Sequence, residues 1–155
     1  DIRGNVPTRI AKLESENLDG IILAQAGLDR LQLDIEKYQP FQFDVAEMVP
    51  APGQGVLGYQ TQTSNIKMRT LLLKLHHPDI GACTNIERGV LNALDGGCQL
   101  PLGVHLYQDK AKNFISHTSY YDGSELHQLS HTQSTFDGLK ELIIQELKAK
   151  TPKKH

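Results

Sequence analysis

Apolar positions recur along the chain with two different periods, and the change of period divides it. Val6, Ile10 and Leu13 follow at i, i+4 and i+7. Asn5 before them suits a helix N-cap and Pro7 is tolerated in a first turn, so a short amphipathic helix is predicted. "SENLD" breaks it. The run "GIILA", residues 20–24, is continuously apolar, as expected of a strand covered on both faces, and "QAGLDRL" after it reads as a turn or short helix. This order suggests an α/β unit. The stretch "YQPFQFDVAEMVPAPGQG" holds three prolines and two glycines and reads as a connection between lobes. "VLGYQTQ" is a further candidate strand. Met68, Leu71, Leu72 and Leu75 then carry a helix to the "HHPD" break, and a second helix runs over residues 78–94.

That second helix has an apolar stripe of Ile80, Cys83, Val90, Leu91 and Leu94, the usual home of an inert thiol. Glu87 falls on the same stripe, where a carboxylate needs a partner. Gly96 and Gly97 end the helix. Beyond Cys98 the period becomes two. "VHLY" and "NFISHTSYY" read as strands around the turn "QDKAK", and "ELHQLSHT" follows a "DG" turn. A last helix carries Phe136, Leu139, Leu142, Ile143 and Leu147. Helix, three antiparallel strands and helix make a small α+β domain.

Composition narrows the function classes. Hydrophobic residues make up 39% and charged residues 22% of 155, enough for a packed core. A net charge of −2 argues against nucleic-acid binding through bulk positive charge. No apolar run approaches the roughly 18 residues of a membrane span. The opening residues "DIRGNVPTRI" start as if in mid-strand, without an initiator methionine or signal peptide, so a longer N-terminus is expected.

Several residues invite chemistry. Cys98 sits behind two glycines and three residues ahead of Pro101, a corner where a thiol can be presented rather than hidden. Arg3, Arg9 and Arg30 fall after candidate strands or in the helices that follow, where α/β ligands bind, and guanidiniums suit carboxylates. Seven histidines carry no matching ligand set, and the two cysteines form no C-x-x-C pair, so no metal is expected. "GQG", residues 53–55, is either an anion cradle on backbone amides or a hinge. A thiol acyl transferase built on Cys98 would need a histidine base, and none lies within obvious reach by spacing.

The stretches "RGNVPTRIAKL", "DGIILAQAGLDRL", "PAPGQG" and "ERGVLNALDGGCQLPLG" occur in this order over most of residues 2–103, and the last is highly specific. Together they resemble the porphobilinogen deaminase (hydroxymethylbilane synthase) family, in its C-terminal part. The remaining residues, 104–155, agree in pattern more than in letters. Pro7 stands where the family tolerates many residues. Gln60 and Asp95 stand where it more often has glutamate.

The resemblance implies a dipyrromethane cofactor joined to Cys98 by a thioether, with Arg3, Asn5, Arg9 and Gly97 around it. It implies porphobilinogen as substrate, with Arg9, Arg30 and Gln54 as substrate-binding residues. Four substrate molecules would be deaminated and condensed head to tail on the cofactor, in tetrapyrrole (heme) biosynthesis. Arg88 is a further candidate for the cleft, and Glu87 beside it is read as an anchor for its helix. The family's catalytic aspartate belongs to an N-terminal half that this sequence does not contain. That half would be a partner, and the fragment alone would be inactive. No metal, nucleic acid or membrane is implied, and the full-length enzyme is expected as a cytoplasmic monomer.

The implied fold is the C-terminal half of a periplasmic-binding-protein-like pair of α/β domains, followed by a small α+β domain. Residues 1–49 would complete domain two, 50–74 would form the hinge and return strand and helix of domain one, and 75–155 the cofactor-loop domain. Lost domain contacts would leave apolar surface on residues 1–75. The alternative is a non-catalytic carboxylate-binding module that kept the fold.

Overall fold

The computed structural model describes residues 2–94, 97 and 99–150. The chain forms two compact units, residues 1–43 and 44–155.

The first unit holds α1 (Val6–Ser15), α2 (Gln25–Leu31) and a 3-10 turn (Glu36–Tyr38). Asn5 caps α1 as the sequence suggests: its Oδ1 accepts from Thr8 N at 2.9 Å and from Thr8 Oγ1 at 2.7 Å. Val6, Ile10 and Leu13 are half-buried, and no residue of either helix is fully buried. Gly27 of α2 faces the Val6 side chain of α1, which sets the two helices side by side. Glu14 Oε1 accepts from Lys37 Nζ at 2.7 Å and from Tyr38 OH at 2.9 Å, which ties the 3-10 turn to α1. Those two bonds hold the Glu14 carboxyl below its usual range.

The strand expected at residues 20–24 does not form, and Ile22 is 66% exposed. A continuously apolar strand needs a neighbour on each edge and cover on both faces, and no described residue of this chain pairs with it. The strand expected from "VLGYQTQ" is likewise irregular, with Leu57 and Tyr59 exposed.

The second unit is an α+β domain. Its elements are α3 (Ile66–Leu73), α4 (Pro78–Ala93), β1 (Leu102–Gln108), β2 (Phe114–Tyr121), β3 (Leu126–Gln133) and α5 (Leu139–Lys150). The three strands form one antiparallel sheet in the order β1-β2-β3, with His105 opposite His117 and His117 opposite Ser130. Period two places Leu102, Val104 and Leu106 on one face with Phe114 and Leu129. Period 3.6 brings Cys83 and Val90 of α4, and Leu139, Ile143 and Leu147 of α5, onto that face. Leu91 and Leu94 join the edge of this core, whereas Ile80 is 51% exposed.

The outer edge of β1 is closed by two different acceptors. Val104 N donates to Pro50 O at 2.9 Å, and Leu106 N donates to Glu87 Oε1 at 2.8 Å. Residues 49–50 therefore lie against β1, and Gly103 is needed there: an added Cβ would collide with Val49 O. Ser116 Oγ, His131 and Glu146 form a chain across β2, β3 and α5, with 3.3 Å and 3.2 Å links. Ser116 is fully buried, and the chain it starts ties α5 to the sheet.

The β2–β3 turn is organised by one carboxylate. Asp122 accepts from Ser124 N and Oγ, from Glu125 N, and from His127 Nε2 at 2.9 Å. The His127 bond first, and the turn donors after it, hold its carboxyl far below the usual range. A carboxylate with a depressed folded-state pKa stabilises above its unfolded pKa of about 4 and loses that contribution as pH falls. Below about pH 4, urea midpoints of the parent should fall more steeply with acid than those of Asp122→Asn. Parallel slopes would refute the assignment.

Candidate functional site

The first cluster is built on the start of α1. Gly4 has φ +120, and a Cβ there would lie 2.8 Å from Thr8 Cγ2, so the "RGN" turn requires glycine. This turn sets Arg3 and Asn5 beside the helix N-terminus. Arg9, half-buried and one turn on, donates from Nε to Gly4 O at 2.8 Å, which pins the guanidinium against the same turn. Arg30 lies exposed in the last turn of α2, three residues beyond the Gly27 contact with α1. Among the described residues, neither Arg9 nor Arg30 is in an ion pair with a carboxylate. The structure thus brings Arg3, Asn5 and Arg9 to one helix start, with Arg30 on the neighbouring helix. Guanidiniums beside a helix N-terminus suit a carboxylate-rich ligand.

The second cluster belongs to the other unit. Gly53 and Gly55 adopt φ +74 and +81, so "GQG" is a tight turn that side chains would strain. Gln54 N donates to Ala51 O, and Gln54 Oε1 accepts from Ala51 N at 3.0 Å. Gly53 N donates to Glu87 Oε2 at 2.8 Å. Two of the amides that an anion cradle would use are therefore committed within the protein, and the cradle reading of "GQG" does not hold. Gln54 itself is exposed. It lines an open groove of about 1310 Å3 together with Tyr59, Arg69, His76, Arg88 and Tyr107.

Glu87 is the functional candidate that sequence reading placed only as a helix anchor. It is 4% exposed, and its two oxygens bind the backbone of two separate segments, with His105 Nδ1 3.6 Å from Oε1. The signal was a carboxylate on an apolar stripe. Its partners were not visible because both are backbone amides.

The second cysteine is settled by burial. Cys83 is 6% exposed in the core, and its thiol is held above its ordinary value by burial and then by the Glu87 and Asp79 carboxylates. It is a poor nucleophile. Gly97 is exposed just past the end of α4, and Cys98, with Asp95, lies outside the described residues. Among the described residues, no group of three or more His, Cys, Asp and Glu side chains is arranged to hold a metal ion. No helix among them is long and apolar enough to cross a membrane.

Residues 1–70 match the family model described as porphobilinogen deaminase, dipyromethane cofactor binding domain. The chain is 38% identical over 149 residues to the porphobilinogen deaminase of Alkaliphilus metalliredigens (strain QYMF), an alignment covering 94% of this chain and 42% of the relative. The chain belongs to the porphobilinogen deaminase family. It is also 48% identical over 104 residues to the porphobilinogen deaminase of Helicobacter acinonychis (strain Sheeba), covering 67% of this chain and 33% of that protein. With a Staphylococcus epidermidis porphobilinogen deaminase it shares 37% identity over 141 residues, 90% of this chain and 45% of the relative. The chain thus spans less than half the length of the curated relatives it matches. The part matching the family's cofactor-binding model includes Arg3, Asn5, Arg9, Arg30 and Gln54.

Proposed function

We propose that this chain is the C-terminal part of a hydroxymethylbilane synthase, which deaminates four porphobilinogen molecules and joins them head to tail. The observation that carries the reading is the coincidence of family and chemistry. The stretch that matches a dipyrromethane-binding model is the one that gathers Arg3, Asn5 and Arg9 at a helix start. The group fits that donor set. Each of its pyrroles bears an acetate and a propionate, and two guanidiniums that have no carboxylate partner among the described residues, Arg9 and Arg30, lie on adjacent helices to receive them.

When bound, dipyrromethane supplies the free pyrrole end to which substrate units are added. This chain's residues hold and orient it. Cys98 is the attachment point through a thioether, in a loop whose glycines, Gly97 among them, let the backbone approach the ligand. Arg3, Arg9 and Asn5 bind the cofactor's carboxylates. Arg9, Arg30 and Gln54 bind those of the incoming substrate, and Arg88 is a further candidate at the groove.

The proton-handling aspartate is assigned to an N-terminal half of the protein, without which this part is inactive. Exposed Leu57, Tyr59, Ile66, Leu71 and Leu73 are the surface this reading assigns to contacts with that half. Residues 1–49 and 50–74 are then pieces of two periplasmic-binding-protein-like domains, and 75–155 the third. The free, buried Cys83 thiol fits a cytoplasmic enzyme.

The direct test is turnover by the full-length gene product. Porphobilinogen should be consumed, followed by its colour with dimethylaminobenzaldehyde in acid, and a linear tetrapyrrole should appear. A folded full-length protein that binds porphobilinogen without consuming it would establish the non-catalytic binding module instead.

A further inference from the structure

We propose that Glu87 is a positioning residue for substrate binding, which fixes the turn at residues 53–55 so that Gln54 is presented to the substrate. The inference deepens the reading above and rests on it.

A carboxylate 4% exposed is an expensive way to fill a stripe that leucine would fill. What a leucine cannot do is accept two hydrogen bonds. Glu87 Oε2 takes the Gly53 amide at 2.8 Å, and Oε1 takes the Leu106 amide at 2.8 Å. The two donors stand 34 and 19 residues away in sequence, one in the turn and one on β1. A single side chain on α4 thereby joins the turn, the helix that precedes Cys98 in the sequence, and the first strand that follows it.

The turn needs such a hold. Gly53 and Gly55 both have positive φ, where glycine has the most conformational freedom to lose. Inside the turn only two bonds, between Ala51 and Gln54, and a longer one of 3.3 Å from Val56 N to Gly53 O restrain it. The Gln54 Oε1 atom is used in that restraint, so the direction of its amide nitrogen follows the turn. Fixing Gly53 therefore fixes the group that Gln54 can offer to a carboxylate. No Lys or Arg contact substitutes for Glu87 among the described ion pairs, and His105 at 3.6 Å is too far to replace either amide.

The experiment uses the full-length gene product with Glu87→Gln, Glu87→Asp, Gln54→Ala and the Glu87→Gln/Gln54→Ala double variant. Glutamine keeps the shape but has one carbonyl for two N–H groups. Aspartate keeps the charge but is a methylene too short to span both. Either should keep the cofactor mass excess on Cys98 and speed hydrogen exchange in residues 50–56. Either should also raise KM for porphobilinogen about tenfold, the scale of one hydrogen bond to a charged group, with kcat changed much less. In the double variant the KM increase should not exceed that of Gln54→Ala, because both changes remove one function.

Faster exchange with KM within twofold of the parent in both variants would overturn the proposal, assigning Glu87 to stability alone. Multiplying KM effects in the double variant would overturn it as well. A parent protein with neither cofactor mass nor turnover would overturn the enzymatic reading and this inference together. The exchange data would still report the hold on Gly53.

Discussion

Cys98→Ser in the full-length gene product should remove the whole mass excess of a covalent dipyrromethane and reduce turnover to background. Two thiols on this chain compete for the attachment. Cys83 is buried between α4 and the sheet, 6% exposed, with burial and two nearby carboxylates raising its thiol pKa. A thioether needs a thiolate or an accessible sulfur, and Cys83 offers neither. Any cysteine-linked cofactor on this chain must therefore sit on Cys98. Serine at position 98 keeps size and polarity but forms no thioether. Intact mass spectrometry of the parent, Cys98→Ser and Cys83→Ala decides it. The excess should persist in Cys83→Ala and vanish in Cys98→Ser. An excess retained by Cys98→Ser would move the attachment elsewhere and take the loop assignment with it.

The legible parts of this molecule are those whose partners lie close in sequence. The α1 cap needs only Asn5 and Thr8, three residues apart, and α4 needs Pro78 and its own stripe. The three strands were legible because alternation and two short turns specify a meander without any distant neighbour. "GIILA" failed for the opposite reason: its composition asks for flanking strands, and none of the described residues supplies one. The close approach of Val49 to Gly103 was equally hidden, since nothing in "PLGV" says which backbone passes over it. The candidate site divides along the same line. Arg3, Asn5 and Arg9 are gathered by one turn and one helix. Glu87 acts through amides that have no side-chain signature.

Arg9→Leu should cost the enzyme about a hundredfold in cofactor assembly or chain elongation while changing stability little. In the folded chain the guanidinium makes a hydrogen bond from Nε to Gly4 O at 2.8 Å, on the exposed side of the α1 start. Its loss leaves a carbonyl that water can reach, worth no more than about 1 kcal/mol, and leucine preserves both helix propensity and the half-buried stem. The ligand loses far more. A guanidinium gripping a carboxylate contributes two charge-assisted hydrogen bonds at about 1.5–3 kcal/mol each, so loss of both, about 3 kcal/mol at the lower end, exceeds a factor of a hundred. Arg9→Lys should fall between, because the charge survives and the planar fork does not. Three readouts on one preparation separate the causes: the thermal midpoint, the cofactor mass excess and the rate of porphobilinogen consumption. The expected pattern is a midpoint within a few degrees of the parent with the second or third readout collapsed. Normal assembly and normal turnover in Arg9→Leu would show that the α1 start does not hold the carboxylates. A large fall in midpoint would instead make Arg9 a brace for the "RGN" turn, with Gly4 O as its essential partner.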